Sequence, residues 1–525
     1  MLLRKQRLWI IGLLALGIVF FFLLKVSRLG KEKDSDMIKN ANEYVEQNRE
    51  IVNNRFRGDY HLTPEIGWMN DPNGFVYYRG QYHLFYQYNP YDVVNAKMHW
   101  GHAVSNDLVN WRYLPVALAP DEEYDCDGCW SGSAIVRGDR LYLFYTGHSE
   151  KTGSRVQTQC LAWSDDGITF QKYDKNPIIG EELLPPNTNI ADFRDPYVWE
   201  KDGYYYLLVG SMEPGIPKAL TYRSADLFSW TYLGDLLRLS GTGYCWECPN
   251  LINLNETDVF LCSPVDYPHE RYEFWNYNAT TYATGKVNYE TGQMKAGPFH
   301  EVDWGTDLYA AQAISMPDGT GVMTAWMNMW GRSFPTAEMG DGWTGSMILP
   351  REIDLSDDGI LIQRPVRGIS AYYCNAVQID EDLIGEKCYT EIRGRVLHLS
   401  LTVEMREASR FEIQVFAEGT VHTDICYDRR QGTISMSREN CQYAIKADPR
   451  DASRGELRVA EYAIENDLLQ MEIFLDKSSV ELFLGDGELT MTMLSFNDET
   501  ADNIVFLSDS TVGLHVKKDD IIIGK

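Results

Sequence analysis

"GQYHLFYQY", Gly80 to Tyr88, pairs a turn glycine with a dense aromatic and apolar run, and its close variants recur along the chain. They are "GDRLYLFYTG" from Gly138, "DGYYYLLVGS" from Asp202, "TDVFLCSPV" from Thr257 and "GTGVMTAWMN" from Gly319. A short β-rich run opened by Gly or Asp reads as a strand entered through a tight turn. Between the runs stand "SNDLVNW" at Ser105, "SDDGITF" at Ser164 and "SADLFSW" at Ser224, each a polar turn leading to an aromatic. Five units repeating about every 55 to 65 residues, with no alternation of strands and helices, predict radially arranged four-stranded sheets. The expected fold is therefore all-β, a five-bladed propeller in which these five runs are the inner strands. A many-stranded sandwich is the alternative for the same repeat.

Outward from the repeat the chain divides. Beyond about residue 389, "VLHLSLTVEM", "RFEIQVF", "LQMEIFLD", "SSVELFLGDG" and "ELTMTMLSF" alternate apolar and polar residues, which predicts a second body of sandwich type. The expected boundaries are a propeller over 59–366, a linker over 367–389 and a sandwich over 390–525. At the other end, Arg4, Lys5 and Arg7 precede 17 uncharged residues from Leu8 to Leu24, and "KVSRLGKEK" follows without a small-x-small cleavage pattern. That combination predicts an uncleaved membrane anchor within residues 1–30; basic residues at both of its ends leave the side open by charge, with an exported body as the default reading and a cytoplasmic one as the alternative. Residues 31–58 are polar, with Ile38, Ala41, Tyr44 and Val45 at near-helical spacing, and predict a helical stalk.

A formal charge of −28 repels nucleic acid and phosphorylated ligands where no local cation compensates. Aromatic residues make up 13% of the chain, including 32 Tyr and 14 Trp, a supply of flat amphipathic rings suited to sugars. The ten cysteines show no dense disulfide spacing, and Cys126-x-x-Cys129 with Cys245-x-x-Cys248 lie in aromatic strand sequence, which argues against a zinc site.

Three acids stand out because a proline stiffens the chain beside each. Asp71 sits in "WMNDPNG", Asp195 in "DFRDP" beside Arg194, and Glu247 in "WECPN", two residues before Pro249. A residue before proline is held extended, so its side chain is aimed. In the repeat frame the three belong to the first, third and fourth units, and a propeller would gather them at one axial mouth. Glycosidic cleavage needs one carboxylate at the anomeric centre and one carboxylic acid for the departing oxygen, requirements that call for two different environments.

These segments, with "HLTPEIGWMNDPNGFVYY", "MHWGHAVSNDLVNW", "WSGSA", "WGTDLYAAQ", "PREI" and "QRPV", resemble glycoside hydrolase family 32, the invertase, inulinase and levanase family, from about His61 to Phe506. The resemblance implies a retaining enzyme without metal or cofactor, with Asp71 as nucleophile, Glu247 as general acid and base and Asp195 as stabiliser of the transition state. It also implies that Asn70, Gln87, Trp100, Ser131 and Arg194 surround the fructosyl unit. Trp130 stands where related sequences often carry Phe, and Asn250 where Asp is common. The expected activity is release of terminal β-fructosyl units, with sucrose as the leading substrate. Sucrose-6-phosphate hydrolysis and exo-acting levanase or inulinase activity are the near alternatives, fructosyl transfer differs only in the acceptor, and a non-catalytic fructan-binding surface protein is the alternative of another class.

Overall fold

A computed structural model of the chain describes residues 37–151, 153–316, 318–448 and 455–524. The expected anchor, residues 8–24, lies outside them, and among the described residues no helix is long and apolar enough to cross a membrane.

Residues 67–365 form five sheets around a common axis. The innermost strands are Gly67–Tyr78, Gly128–Arg137, Phe193–Lys201, Trp246–Leu254 and Tyr309–Ser315, one from each blade, I to V. Each packs against its neighbours, and blade I meets blade V to close the ring. The recurrent aromatic runs are the second strands, Gln81–Asn89, Arg140–Ser149, Tyr204–Glu213, Thr257–Pro264 and Gly321–Trp326, not the inner ones expected from the repeat. The reason is burial. Second strands are covered on both faces by adjacent blades and read as near-continuous apolar runs. The innermost strands turn polar residues towards the axis and carry prolines, so their sequence reads as turns.

The "SxD" repeat is one turn built three times. Ser105 Oγ accepts from the backbone N–H groups of Asp107 and Leu108, while Asp107 Oδ1 accepts from Val109 and Asn110. Ser164 with Asp166, and Ser224 with Asp226, repeat the pattern in blades II and III. The fourth residue of each turn, Leu108, Gly167 or Leu227, has a positive φ of 67°, 77° or 76°. Local side-chain capping of this kind offers the backbone an alternative to the ladder and ends the strand.

The C-terminal body is a ten-stranded sheet folded on itself. Its long strand Asn503–Ile521 pairs with Arg410–Glu418 near its start and with Val396–Glu404 towards its end, and so joins the two layers. The expected 367–389 linker is mostly part of this body: Tyr373–Arg393 pairs along Asn503–Ile521, which leaves only the turn Arg367–Tyr372 as the join. This strand buries little beyond Leu383, Tyr389 and Ile392, so it lacks the alternation that marks a half-buried strand.

The stalk is helical over Met37–Asn48, but it is docked. Ala41 and Val45 are buried in the propeller's main core, and Asn42 Oδ1 accepts from Val116 N–H on the outer strand of blade I. That core runs on into the C-terminal body, where Phe56 meets Phe496 edge to face. Charges cross the same boundary. His61 lies between Asp476 and Glu481, at 2.8 Å from each, and Arg351 reaches Glu481 at 2.8 Å and Asp303 at 2.9 Å. Burial opposes charge on His61, yet its two carboxylate partners push its pKa up to about 9.

Candidate active site

All five innermost strands carry an irregularity at the same level. Ladder pairing breaks between Met69 and Pro72, Trp130 and Gly132, Glu247 and Asn250, and Tyr309 and Gln312, and on the partner of the third strand between Leu208 and Gly210, opposite Asp195. In three of the five, a proline that cannot donate to the ladder sits at the break: Pro72, Pro196 and Pro249. Asp195, Cys248 and Ala310 there have positive φ values of 65°, 46° and 56°, a conformation side chains rarely adopt, so Asp195 is not held extended ahead of Pro196 as expected from the sequence but is turned by the bulge. A ring of bulges thus turns side chains out of the pleat and towards the axis.

Those side chains line one cavity of about 140 Å³ that opens to solvent, walled by Asn70, Asp71, Gln87, Asn95, Met98, Trp130, Ser131, Arg194, Asp195, Glu247 and Trp330. The three acids that the sequence singled out therefore share a single chamber. Of the five expected sugar-contacting residues, Asn70, Gln87, Ser131 and Arg194 line it as well. Trp100 does not: it is wholly buried behind the wall, and its indole N–H donates to the Trp130 carbonyl at 3.1 Å, holding up the strand that presents Trp130.

The acids differ in their partners. Ser131 Oγ donates to Asp71 Oδ2 at 2.8 Å, whereas Asp71 Oδ1 is buried without a hydrogen-bond partner. Burial raises the Asp71 pKa and the charge of Glu247 adds to this, while the Asn70 and Ser131 side chains pull the other way. Asp195 Oδ2 accepts from Cys248 N–H at 2.9 Å, and the Cys248 sulfur lies 3.8 Å from both Asp71 Oδ2 and Asp195 Oδ2, fastening the two acids to one point. Burial, with the charges of Glu247 and Asp71, lifts Asp195 to about 7 against the opposing pull of Arg194. Three carboxylates beside one guanidinium thus keep a proton in the chamber into the neutral range.

Glu247 is held on both oxygens. Oε1 accepts from Arg194 Nε at 3.1 Å and Nη2 at 2.9 Å, and Oε2 accepts from the Tyr309 hydroxyl at 2.5 Å. Arg194 is fixed in turn by Asp192 at 3.1 Å. Asn250 sits beneath, where its amide donates to the carbonyls of Cys248 and Ala311 and accepts from Ala313 N–H. An aspartate there could make only the last of these contacts, so the amide ties blade IV to blade V.

Sequence reasoning missed Tyr309, Cys248, Trp330, Asn95 and Met98 as parts of the site. Cys248 and Tyr309 stand inside quoted motifs, beside Glu247 and in "WGTDLYAAQ", and carried a readable signal. Trp330 lies in the loop after the second strand of blade V and gave none; it stacks on Trp68, whose indole donates to Asn70 Oδ1 at 2.7 Å.

Residues 61–365 match the profile of the glycosyl hydrolases family 32 N-terminal domain, and residues 374–520 that of its C-terminal domain. The chain belongs to glycoside hydrolase family 32. Among curated relatives, a Bacillus subtilis sucrose-6-phosphate hydrolase is 32% identical over 92% of this chain and 98% of its own. An Escherichia coli raffinose invertase is 35% identical over 82% of this chain and 88% of its own. A Bombyx mori family 32 β-fructofuranosidase, solved as a variant in complex with sucrose, superposes with a TM-score of 0.80 at 34% identity, covering 91% of this chain and 97% of that one.

Proposed function

We propose that the protein is a retaining β-fructofuranosidase that removes terminal non-reducing β-fructosyl units, with sucrose as its leading substrate. The observation that carries this reading is the convergence of Asp71, Asp195 and Glu247 on one small chamber in which Asp71 Oδ1 alone is buried and unpartnered. Asp71 attacks the anomeric carbon with that oxygen while Ser131 holds the other. Glu247 passes a proton to the departing oxygen and then draws one from the incoming water. Asp195 takes sugar hydroxyls, and its retained proton makes it a donor in the unliganded state. The chamber is small, about 140 Å³, which supports exo-action at a chain end.

Unphosphorylated sucrose fits better than its phosphate. Arg194 is the one cation among the described lining residues, and Asp192 and Glu247 already engage it. Among the described lining residues a dianion would meet no free positive partner. Fructose release from sucrose, sucrose-6-phosphate, inulin and levan by the purified protein tests the assignment. The highest kcat/KM on sucrose is expected, and release from none of the four would leave the fructan-binding alternative standing.

For the cellular setting we propose a membrane-anchored, exported enzyme. The support is the basic-flanked apolar run Leu8–Leu24 and the docked helix, which leaves only residues 25–36 between that run and the body. Protease added to intact cells is expected to digest the body, and protection until lysis would count against export.

A further inference from the structure

Trp330 is blade V's one contribution to the chamber among the described lining residues, and the segment that carries it is held from outside the propeller. That segment joins the strand Gly321–Trp326 to the short helix Pro335–Glu338, and its residues Gly331 to Ser333 pair with residues 446–448 of the C-terminal body. Arg332 and Ala447 form an antiparallel bridge, in which Ser333 N–H donates to the Lys446 carbonyl at 2.7 Å and Asp448 N–H to the Gly331 carbonyl at 2.5 Å. Lys446 N–H adds a bond to Ser333 Oγ at 2.9 Å. Gly331 has a φ of 79°, and a Cβ added there would stand 3.2 Å from that of Asp448, so the approach of the two backbones calls for glycine at this position.

Buried charge pins the bridge. The Arg332 side chain is fully buried, and its Nη1 donates to Asp307 Oδ1 at 3.0 Å while Nη2 donates to Asn276 Oδ1 at 3.1 Å. Asp307 Oδ2 accepts from Arg438 Nη1 at 2.5 Å and from Leu494 N–H at 2.9 Å, both in the C-terminal body. One carboxylate therefore links an arginine two residues after Trp330 to an arginine of the other body. These contacts fasten the backbone just after Trp330, and its ring meets Trp68 at 5.9 Å and Trp326 at 4.9 Å beside the chamber. A ring set between a packed aromatic layer and a locked backbone keeps one orientation, and a wall residue in one orientation binds without first being ordered.

We infer that the C-terminal body positions Trp330 through residues 446–448, and so sets how tightly the chamber holds its sugar. The inference rests on the hydrolase reading and deepens it: the second body belongs to the binding apparatus, with the bridge to Gly331–Ser333 as its point of action. Residues 446–448 line no part of the chamber. They are positioning residues, with no part in bond cleavage.

The test reads kcat and KM on sucrose, with circular dichroism, for the full-length parent, Asp448→Pro, Asp448→Ala, Trp330→Ala and the double variant Asp448→Pro/Trp330→Ala. Proline at 448 removes the N–H that holds the Gly331 carbonyl and suits the extended residue before it, whereas alanine removes the side chain alone. Trp330→Ala is expected to raise KM about three- to tenfold. Asp448→Pro is expected to raise KM about threefold or more with kcat within about twofold of the parent, and Asp448→Ala to raise it less. In the Trp330→Ala background the added Asp448→Pro change is expected to leave KM where it is, because its effect passes through the missing ring. Should Asp448→Pro fail to fold, Ser333→Ala, which deletes the acceptor of Lys446 N–H, is expected to show the same dependence on Trp330 with a smaller rise. An unchanged KM in Trp330→Ala or in the folded bridge variant, or an equal rise with and without Trp330, would overturn the inference. A parent that releases no fructose from sucrose would instead sink the hydrolase reading, and this inference with it.

Discussion

Ser131 Oγ lies 2.8 Å from Asp71 Oδ2, so one oxygen of the proposed nucleophile is tethered across the blade I–blade II boundary and the other is buried without a hydrogen-bond partner. Both residues stand at bulges of neighbouring innermost strands, and neither would reach the other in a regular ladder. Replacing the hydroxyl, Ser131→Ala, removes a hydrogen bond to a charged group and frees the carboxylate to rotate. Steady-state kinetics on sucrose are expected to show a kcat loss of about 10- to 100-fold. A change in KM alone would mean that Ser131 binds sugar without steering Asp71.

The acid role of Glu247 is separable by leaving group. Glu247→Gln keeps the shape and loses the proton, so kcat on sucrose is expected to fall about 10²- to 10⁴-fold. An aryl fructoside, whose phenolate departs without protonation, should recover most of that loss in the fructosyl-transfer step. Equal losses on both substrates would assign Glu247 to binding.

The acidity of Asp195 sets two pH dependences of opposite use. The chamber retains its proton below about 7, so kcat/KM on sucrose is expected to decline as pH rises through that value. For stability, a carboxyl with a raised native pKa favours the fold in its neutral form. Its cost appears as pH rises above the unfolded value near 4 and is complete above about 7. Asp195→Asn is therefore expected to be nearly inactive, and to melt higher than the parent at pH 8 but not at pH 4. A variant that gains no stability at pH 8 would show that Asp195 is not strained in the native site.

His61 behaves in the reverse sense at the domain boundary. Its pKa is raised to about 9, so the stability it contributes is fully present below about pH 6.5 and is lost as pH rises through 9. Removing one member of a buried ion cluster leaves the carboxylates of Asp476 and Glu481 short of a cation, and His61→Ala is expected to cost about 3 to 5 kcal/mol at pH 6.5. Denaturant melts at pH 6.5 and 9.5 should show the penalty shrinking at the higher pH. A penalty independent of pH would assign His61 to packing.

How far the sequence spoke depended on what each element had to bury. The blades announced themselves through second strands covered on both faces, and the acids through prolines that break a ladder. Tyr373–Arg393 stayed hidden because little of it is buried on either face, and it passed for a linker. The helix Met37–Asn48 was legible as a helix from the spacing of Ala41 and Val45, but nothing local says that this face docks on Val116 instead of facing solvent. In the site, the acids and Arg194 were readable from their own neighbours. Trp330 comes from blade V and meets Trp68 of blade I only by ring closure, a contact between residues far apart in the chain that no spacing rule reaches.

The central claim, that Asp71 is the attacking carboxylate, is tested most directly by the kcat/KM of Asp71→Asn on sucrose, with circular dichroism confirming the fold. The neutral, isosteric amide cannot attack, and a loss of about 10⁴-fold or more is predicted. Turnover within tenfold of the parent by a correctly folded Asp71→Asn protein would contradict it.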